Sequence, residues 1–412
     1  MALTPPERVS HLALHSGEEG AAEDYACLAR LCKRHAVTPP QPGVNHFSQD
    51  FGAFRLRWER HTEFVSYTFF RSGPFEFDAA FREPVIDLVA RDWLEDLPDT
   101  VLVAAHVALL SRDHPPPTTE ELGRVFHPES LSGSLVSGGA AAAFTDFHIH
   151  ADGFSRVFIH DRHLGTRQAG RLVQRLLELQ TYRMMALLAL PLAREKAPQI
   201  ARCERDLAEA TAWLVKTDGL AEERALLDRL TLLAASIEGL SAETSYRFRA
   251  TGAYRALVER RLEDLREQRI PGLQTFAEFM DRRFQPAMRT CQSTAERLES
   301  MSQRVARVSQ LLHTRVGISV QEQNRNVLQS VDRRARMQLL LQETVEGLSA
   351  VAMAYYSVGL IAYALKALKP LPLEIDPEIA AGTATPVVFV AVWLFLRHLR
   401  RKILGGQDAD TR

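Results

Sequence analysis

The chain is poor in cysteine: Cys27, Cys32, Cys203 and Cys291 are the four it has in 412 residues, and none forms a CxxC pair. Thiols this sparse fit a reducing compartment and exclude a disulfide framework or a zinc knuckle. Charge of one sign is missing too, with 50 Lys plus Arg against 51 Asp plus Glu. A general nucleic-acid binder needs a basic excess to meet phosphates, so nucleic acid is not an expected partner. Twenty-two glycines and 20 prolines are too few for a fibrous or disordered chain. The opening MALTPPERVSHLALHSGEEG lacks a basic stretch followed by an apolar run, so no signal peptide is expected. No G-x-x-x-x-G-K-[ST], G-x-G-x-x-G or G-x-S-x-G occurs. The usual phosphate cradles and nucleophile elbow are therefore absent, and the chain reads as a non-enzyme.

What it does have is apolar sequence near its C-terminal end. Gly347 to Leu365 is 19 uncharged residues and Ile379 to Leu396 is 18 more. At ~1.5 Å per residue, either run approaches the ~30 Å of a bilayer's hydrocarbon. Pro386, with Thr383 and Thr385, dilutes the second run. The linker KALKPLPLEIDPE suits an exposed turn. Arg333, Arg334 and Arg336 precede the first run, and Arg397, Arg400, Arg401 and Lys402 follow the second. Basic residues stay on the cytoplasmic side, so both flanks belong inside and the turn, with Glu374, Asp376 and Glu378, outside. The expectation is a two-pass protein of a bacterial inner membrane with both termini cytoplasmic. Neither run contains Asp, Glu, Lys, Arg or His, which argues against a proton or ion relay through side chains.

Upstream, the pattern is mixed. A helix is expected over Ala21–His35. Phe54, Leu56 and Trp58 alternate with Arg55, Arg57 and Glu59 as in a half-buried strand, and Phe64–Phe70 reads as its neighbour. Arg55, Arg57 and Arg60 read as a solvated strand face. A helix over Arg82–Leu97, a central strand over Val101–Leu110 and a helix capped at Thr118 or Thr119 follow. Asp152-Gly153 between apolar-alternating runs signals a hairpin, in a domain of four to six strands ending near Arg162. Beyond Leu164 the pattern is helical, with a bend at Pro191; the ten-residue MMALLALPLA is too short to span a membrane and should be buried against protein. Leu226, Leu230, Leu233, Ile237 and Leu240, and then Leu298, Met301, Val305, Val308 and Leu312, form heptad seams that helices of one chain or of several could satisfy.

The fold class is therefore α+β. A mixed α/β cytosolic domain over 1–163 precedes a long-helix stalk or bundle over 164–345. A transmembrane hairpin over 346–397 and a basic tail over 398–412 complete the chain.

One pattern invites metal chemistry: Asp146-Phe-His148-Ile-His150, with His160 across the proposed hairpin. H-x-H on one strand face points both imidazoles the same way, as a divalent ion in a metal-dependent hydrolase would need. Such hydrolases carry the motif in a barrel of alternating strands and helices, which this chain lacks. The hairpin alternation also accounts for the pattern unaided, with Phe147 and Ile149 on the drier face, so the expectation is no cofactor.

Several stretches resemble a bacterial domain-of-unknown-function family of membrane-anchored proteins, whose members carry no assigned reaction. They are PERVSHLALHSGEEG, NHFSQDFGAFRLRWERHTEFVSYTFF, LGTRQAGRLVQRLLELQTYRMMALLALPLA, the run from RFRATGAYRALVERRLEDL to RRFQPAMRTC, and RVGISVQEQNRNVLQSVDRRARMQLLLQETVEGLSAVAMAYYSVGLIAYALKAL. The order of parts is also similar to that of CorA-type magnesium channels, which implies a pore lined by Tyr355, Tyr356, Ser357 and Gly359. The Gly-Met-Asn filter of those channels is absent here, Gly359 being followed by Leu360 and Ile361. The leading expectation is a membrane protein with a cytosolic domain that senses or binds an unknown ligand or protein, and with helices that build a homo-oligomer in the lipid bilayer.

Overall fold

The computed structural model describes residues 2–17, 20–97, 100–217, 219–367 and 377–405. The fold is α+β, and the chain divides into two compact units, Met1–Thr217 with Glu222–Leu312, and Asp218–Ala221 with His313–Arg412.

The first unit is organised by one sheet. Its strands are β1 (Glu7–His15), β2 (His46–Asp50), β3 (Arg55–Arg60), β4 (Phe64–Ser72), β5 (Val101–Leu110), β6 (Ser132–Val136), β7 (Ala141–Thr145), β8 (Ser155–Asp161) and β9 (Gln268–Arg269), in the spatial order 2-3-4-1-5-8-7-6-9. Neighbours are antiparallel except β5 and β8. Nine strands exceed the expected four to six. β1 escapes a period-2 search because it lies mid-sheet with both faces covered, so Val9 and Ala13 are buried on one side and Leu12 and Leu14 on the other. β6 is SGSLV, whose small residues carry no apolar alternation; Gly133 is there because a Cβ would stand 2.7 Å from the Phe144 ring of the paired strand.

Helices cover both faces. α1 (Ala21–Arg34) buries Cys27, Leu28, Leu31 and Cys32 against Leu56, Trp58, Tyr67 and Phe69. The helix expected over Arg82–Leu97 is broken into a 3-10 turn, Val85–Leu88, and a short α2, Arg91–Glu95. Pro84 has no N–H to give and biases Glu83 towards extended backbone. The segment follows the sheet instead, Ile86 N–H donating to Ser10 Oγ (3.1 Å) and Trp93 Nε1 to the Cys27 carbonyl (3.0 Å). α3 (Thr119–Val125) has the anticipated cap, Thr118 closing a capping box with Glu121.

The opposite face is covered by α4 (Thr166–Leu187), by α7 (Phe276–Arg283) and by the last turns of α6 (Leu220–Leu265). Leu172, Val173, Leu176, Val258, Leu265, Phe276 and Met280 all join Val107, Leu109, Val157 and Ile159 in one cluster. α4 ends at Leu187, four residues before Pro191, and after Leu188 the chain continues as α5 (Ala189–Lys216); the ring at 191 conflicts with the carbonyl four residues earlier, that of Leu187. MMALLALPLA is buried here, Met185, Ala186 and Ala189 being fully inaccessible. The seam residues Leu226, Leu230 and Ile237 on α6, and Leu298, Met301 and Val305 on α8 (Gln285–Ala367), are buried inside this unit as well. Ion pairs tie these helices to α5: Lys196 to Glu243, Arg229 to Glu209, and Arg297 bidentate to Glu204.

The second unit holds the rest of α8 and α9 (Pro377–Gly405). By length and composition α8 contains one stretch apolar enough to cross a membrane, and only 6% of that stretch is buried. α9 contributes a shorter apolar run, Gly382–His398.

Candidate functional site

β7 stops at Thr145 and β8 starts at Ser155, so His148 and His150 sit in a loop and not on a strand face. The expected tight hairpin opens because Asp146, fully buried, draws backbone to itself: Oδ1 accepts the His148 N–H (3.1 Å) and Oδ2 the His127 N–H (3.0 Å). Phe147 then turns into the left-handed region at φ +56° and stacks on Phe279 at 4.1 Å. Asp152-Gly153 does make a turn, with Gly153 at φ +82° and its N–H on the His150 carbonyl. Loops fixed from both ends in this way hold side chains at defined positions.

The result is a cluster. His150 Nε2 lies 3.1 Å from Asp146 Oδ2, and the His127 ring lies 5.4 Å from that of His150 and 4.8 Å from that of His148. Ligand atoms of His127, Asp146 and His150 all fall within 4.8 Å of one another. Burial lowers the pKa of His150, opposed by the Asp146 carboxylate that favours its charged form. The nearby cation Arg156 is paired with Asp152 at 3.1 Å. His148 and His150 are thus brought together. His160 is not: it lies on β8, its Nε2 bonded to the His114 carbonyl at 2.9 Å. His127 is the residue that sequence reasoning missed; it follows α3, 19 positions before Asp146, in a segment with no periodicity to mark it.

A second polar locus lies between the sheet and α4. His11, Arg57, Glu59, Thr68, Glu178 and Thr181 line a cavity of about 40 Å³, room for about three waters and too small for an organic ligand. His11 bonds Thr68 Oγ1 (2.8 Å) and Thr181 Oγ1 (3.3 Å), and burial pushes its pKa down to about 3, with His61 and Arg57 adding to the effect. The arginines expected on a solvated strand face are instead bound to acids: Arg55 to the buried Glu7 at 2.6 Å, Arg57 to Glu59 at 2.6 Å, and Arg60 to the buried Asp24 at 3.1 Å.

In the second unit Tyr355 and Tyr356 are exposed, edge to face at 5.8 Å, and nothing crowds Gly359. Tyr356 and Ser357 line a groove with Ala391, Val392 and Phe395 of α9. Arg333, Arg334 and Arg336 are exposed on α8, Arg336 paired with Asp332, and Arg397 lies 5.1 Å over the Trp393 ring. Arg400, Arg401 and Lys402 fall on α9. The expected turn, with Lys369, Glu374 and Asp376, lies outside the described residues.

The sequence model of a protein family of unknown function, DUF3422, matches residues 1–403, nearly the whole chain. The chain belongs to this family. Comparison with curated proteins and with solved structures finds no match. The DUF3422 assignment bears out the family resemblance and brings no reaction with it; the likeness to CorA-type channels is not shown.

Proposed function

We propose that the protein is a two-pass inner-membrane protein whose sheet-bearing unit lies in the cytoplasm and binds a partner, without catalysing a reaction. The observation that carries this reading is the exposed apolar surface of the second unit. Leu348, Val351, Tyr355, Leu360 and Tyr363 on α8, and Val387, Val390, Leu394 and Phe395 on α9, are exposed within that unit. Contiguous apolar surface of this extent requires lipid or another protein to cover it. The shared groove between the two helices supports a hairpin. Arginines on the outer flanks support both ends facing the cytoplasm, and an Arg397–Trp393 pair suits an interface with lipid headgroups.

The same helix supports self-association. Between the first unit and the apolar stretch, Val327, Val331, Leu341 and Val345 are exposed on α8, and copies held in one bilayer would meet in parallel at the same height. The tests are direct. A C-terminal reporter active only in the cytoplasm should be active, and a reporter active only in the periplasm should be silent. Periplasmic activity overturns the topology. A native mass of two or more chains in mild detergent is expected, and a monomer overturns the self-association.

A further inference from the structure

We infer that His127, Asp146 and His150 form a binding site for one first-row transition-metal ion, of the Zn²⁺ class. The inference is independent of how the chain meets the membrane, because all three residues belong to the first unit.

Distances come first. Two ligand atoms each about 2.1 Å from one ion and set roughly at a right angle are about 3 Å apart. The observed 3.1 Å between His150 Nε2 and Asp146 Oδ2 meets that spacing without movement of either group. The His127 ring is exposed, makes ring contacts with both loop histidines, and lies within 4.8 Å of both other ligands. His127 is the ligand that has to move inward to close the third bond, and its exposure leaves it free of packing that would prevent this. His148, exposed and in contact with His127, offers a fourth donor, and the solvent side leaves positions for water.

Chemistry selects the ion. Two imidazoles and one carboxylate are too nitrogen-rich for Mg²⁺ or Ca²⁺, which take oxygen ligands, and suit Zn²⁺, Fe²⁺, Co²⁺ or Ni²⁺. The carboxylate is already oriented by two backbone N–H groups, from His127 and His148, the kind of outer support that metal ligands commonly have. Those bonds also connect the ligands to one another: one carboxylate fixes the backbone of both histidine-bearing segments. Without an ion, His150 Nε2 bonds the carboxylate. With one, the neutral ring presents its Nε2 lone pair to the ion and carries its hydrogen on Nδ1, so no net proton is lost.

The experiment uses the full chain in mild detergent, stripped with a chelator and titrated with Zn²⁺ near pH 7.5, and with Co²⁺ for its absorption spectrum. One equivalent per chain is expected. His127→Ala and His150→Ala should each weaken binding by about 10- to 100-fold or more, and His163→Ala, an exposed histidine outside the cluster, should not. His127 is exposed, so its removal leaves folding intact and decides the matter even if the loop of His150→Ala is disturbed. Binding well below one equivalent, or an affinity that His127→Ala leaves unchanged, overturns the site.

Discussion

Two apolar stretches of this protein are close in composition and opposite in fate. MMALLALPLA at the α4–α5 junction is inaccessible at Met185, Ala186, Ala189 and Ala193, whereas GLSAVAMAYYSVGLIAYAL on α8 is exposed at Leu348, Val351, Tyr355, Leu360 and Tyr363. Neither carries a charge. The difference is what the chain supplies to cover them. Around Met185 it brings the sheet, α6 and α7; among the described residues of the second unit, the other stretch meets a groove against α9. Hydrophobicity alone therefore does not separate a covered core segment from one that still needs a covering partner; length and burial are what differ.

The comparison breaks most sharply with a charge. Met185→Lys places an unpaired ammonium in the sheet core and should cost at least about 4 kcal/mol, unfolding the first unit in urea titrations. Leu360→Lys should leave that unit's urea midpoint unchanged and weaken membrane retention against alkaline extraction, a lysine at the helix centre costing about 2.5–3.5 kcal/mol on insertion. If Leu360→Lys unfolds the protein and retention is unchanged, the α8 stretch is a covered core helix after all.

A second contrast is in acid. His11, with a folded pKa of about 3, and His106, lowered by burial to about 4, are neutral in the folded sheet. The unfolded chain takes up protons on both below about pH 6.5 and the folded chain does not, so their stabilisation is complete above that pH. As pH falls it is lost at about 1.4 kcal/mol per unit and per histidine, down to about pH 4 for His106 and about pH 3 for His11. Urea midpoints at pH 7, 6 and 5 should fall accordingly. His11→Gln should flatten the slope, and an unchanged slope would remove His11 from the account.

Smaller effects sit at the margins of the first unit. Thr118→Ala opens the capping box of α3 and should cost about 1 kcal/mol in thermal or urea unfolding. Arg297→Lys replaces a bidentate contact to Glu204 by a single one and should cost less than about 1 kcal/mol.

Local signals suffice where one element decides its own structure. Val101–Leu110 is a strand as its apolar run requires, and Thr118 caps a helix as its hydroxyl and Glu121 require. Signals failed where a distant partner decides. β9 exists only because Gln268–Arg269 meets β6, more than 130 residues earlier. Likewise, the metal-type cluster was half legible. Asp146 and the two loop histidines advertise themselves by spacing, but their strand geometry was overruled by a carboxylate that caps two backbone segments, and His127 joins only through the fold. The arginines of β3 looked solvated because Glu7 and Asp24, their acids, come from β1 and α1.

The path of the sheet has a consequence for synthesis. β1 leaves the ribosome long before the helices that cover it, since the cluster around it closes only with Phe276, Met280, Phe284 and Met288. At about 5–20 residues per second, the opening strand waits on the order of tens of seconds for the helices that shield it. Until then a half-built sheet presents bare edges and an uncovered apolar face, an invitation to chaperones or to neighbouring nascent chains. Those helices are translated before the apolar part of α8, so this vulnerable interval ends before that part of the message is read.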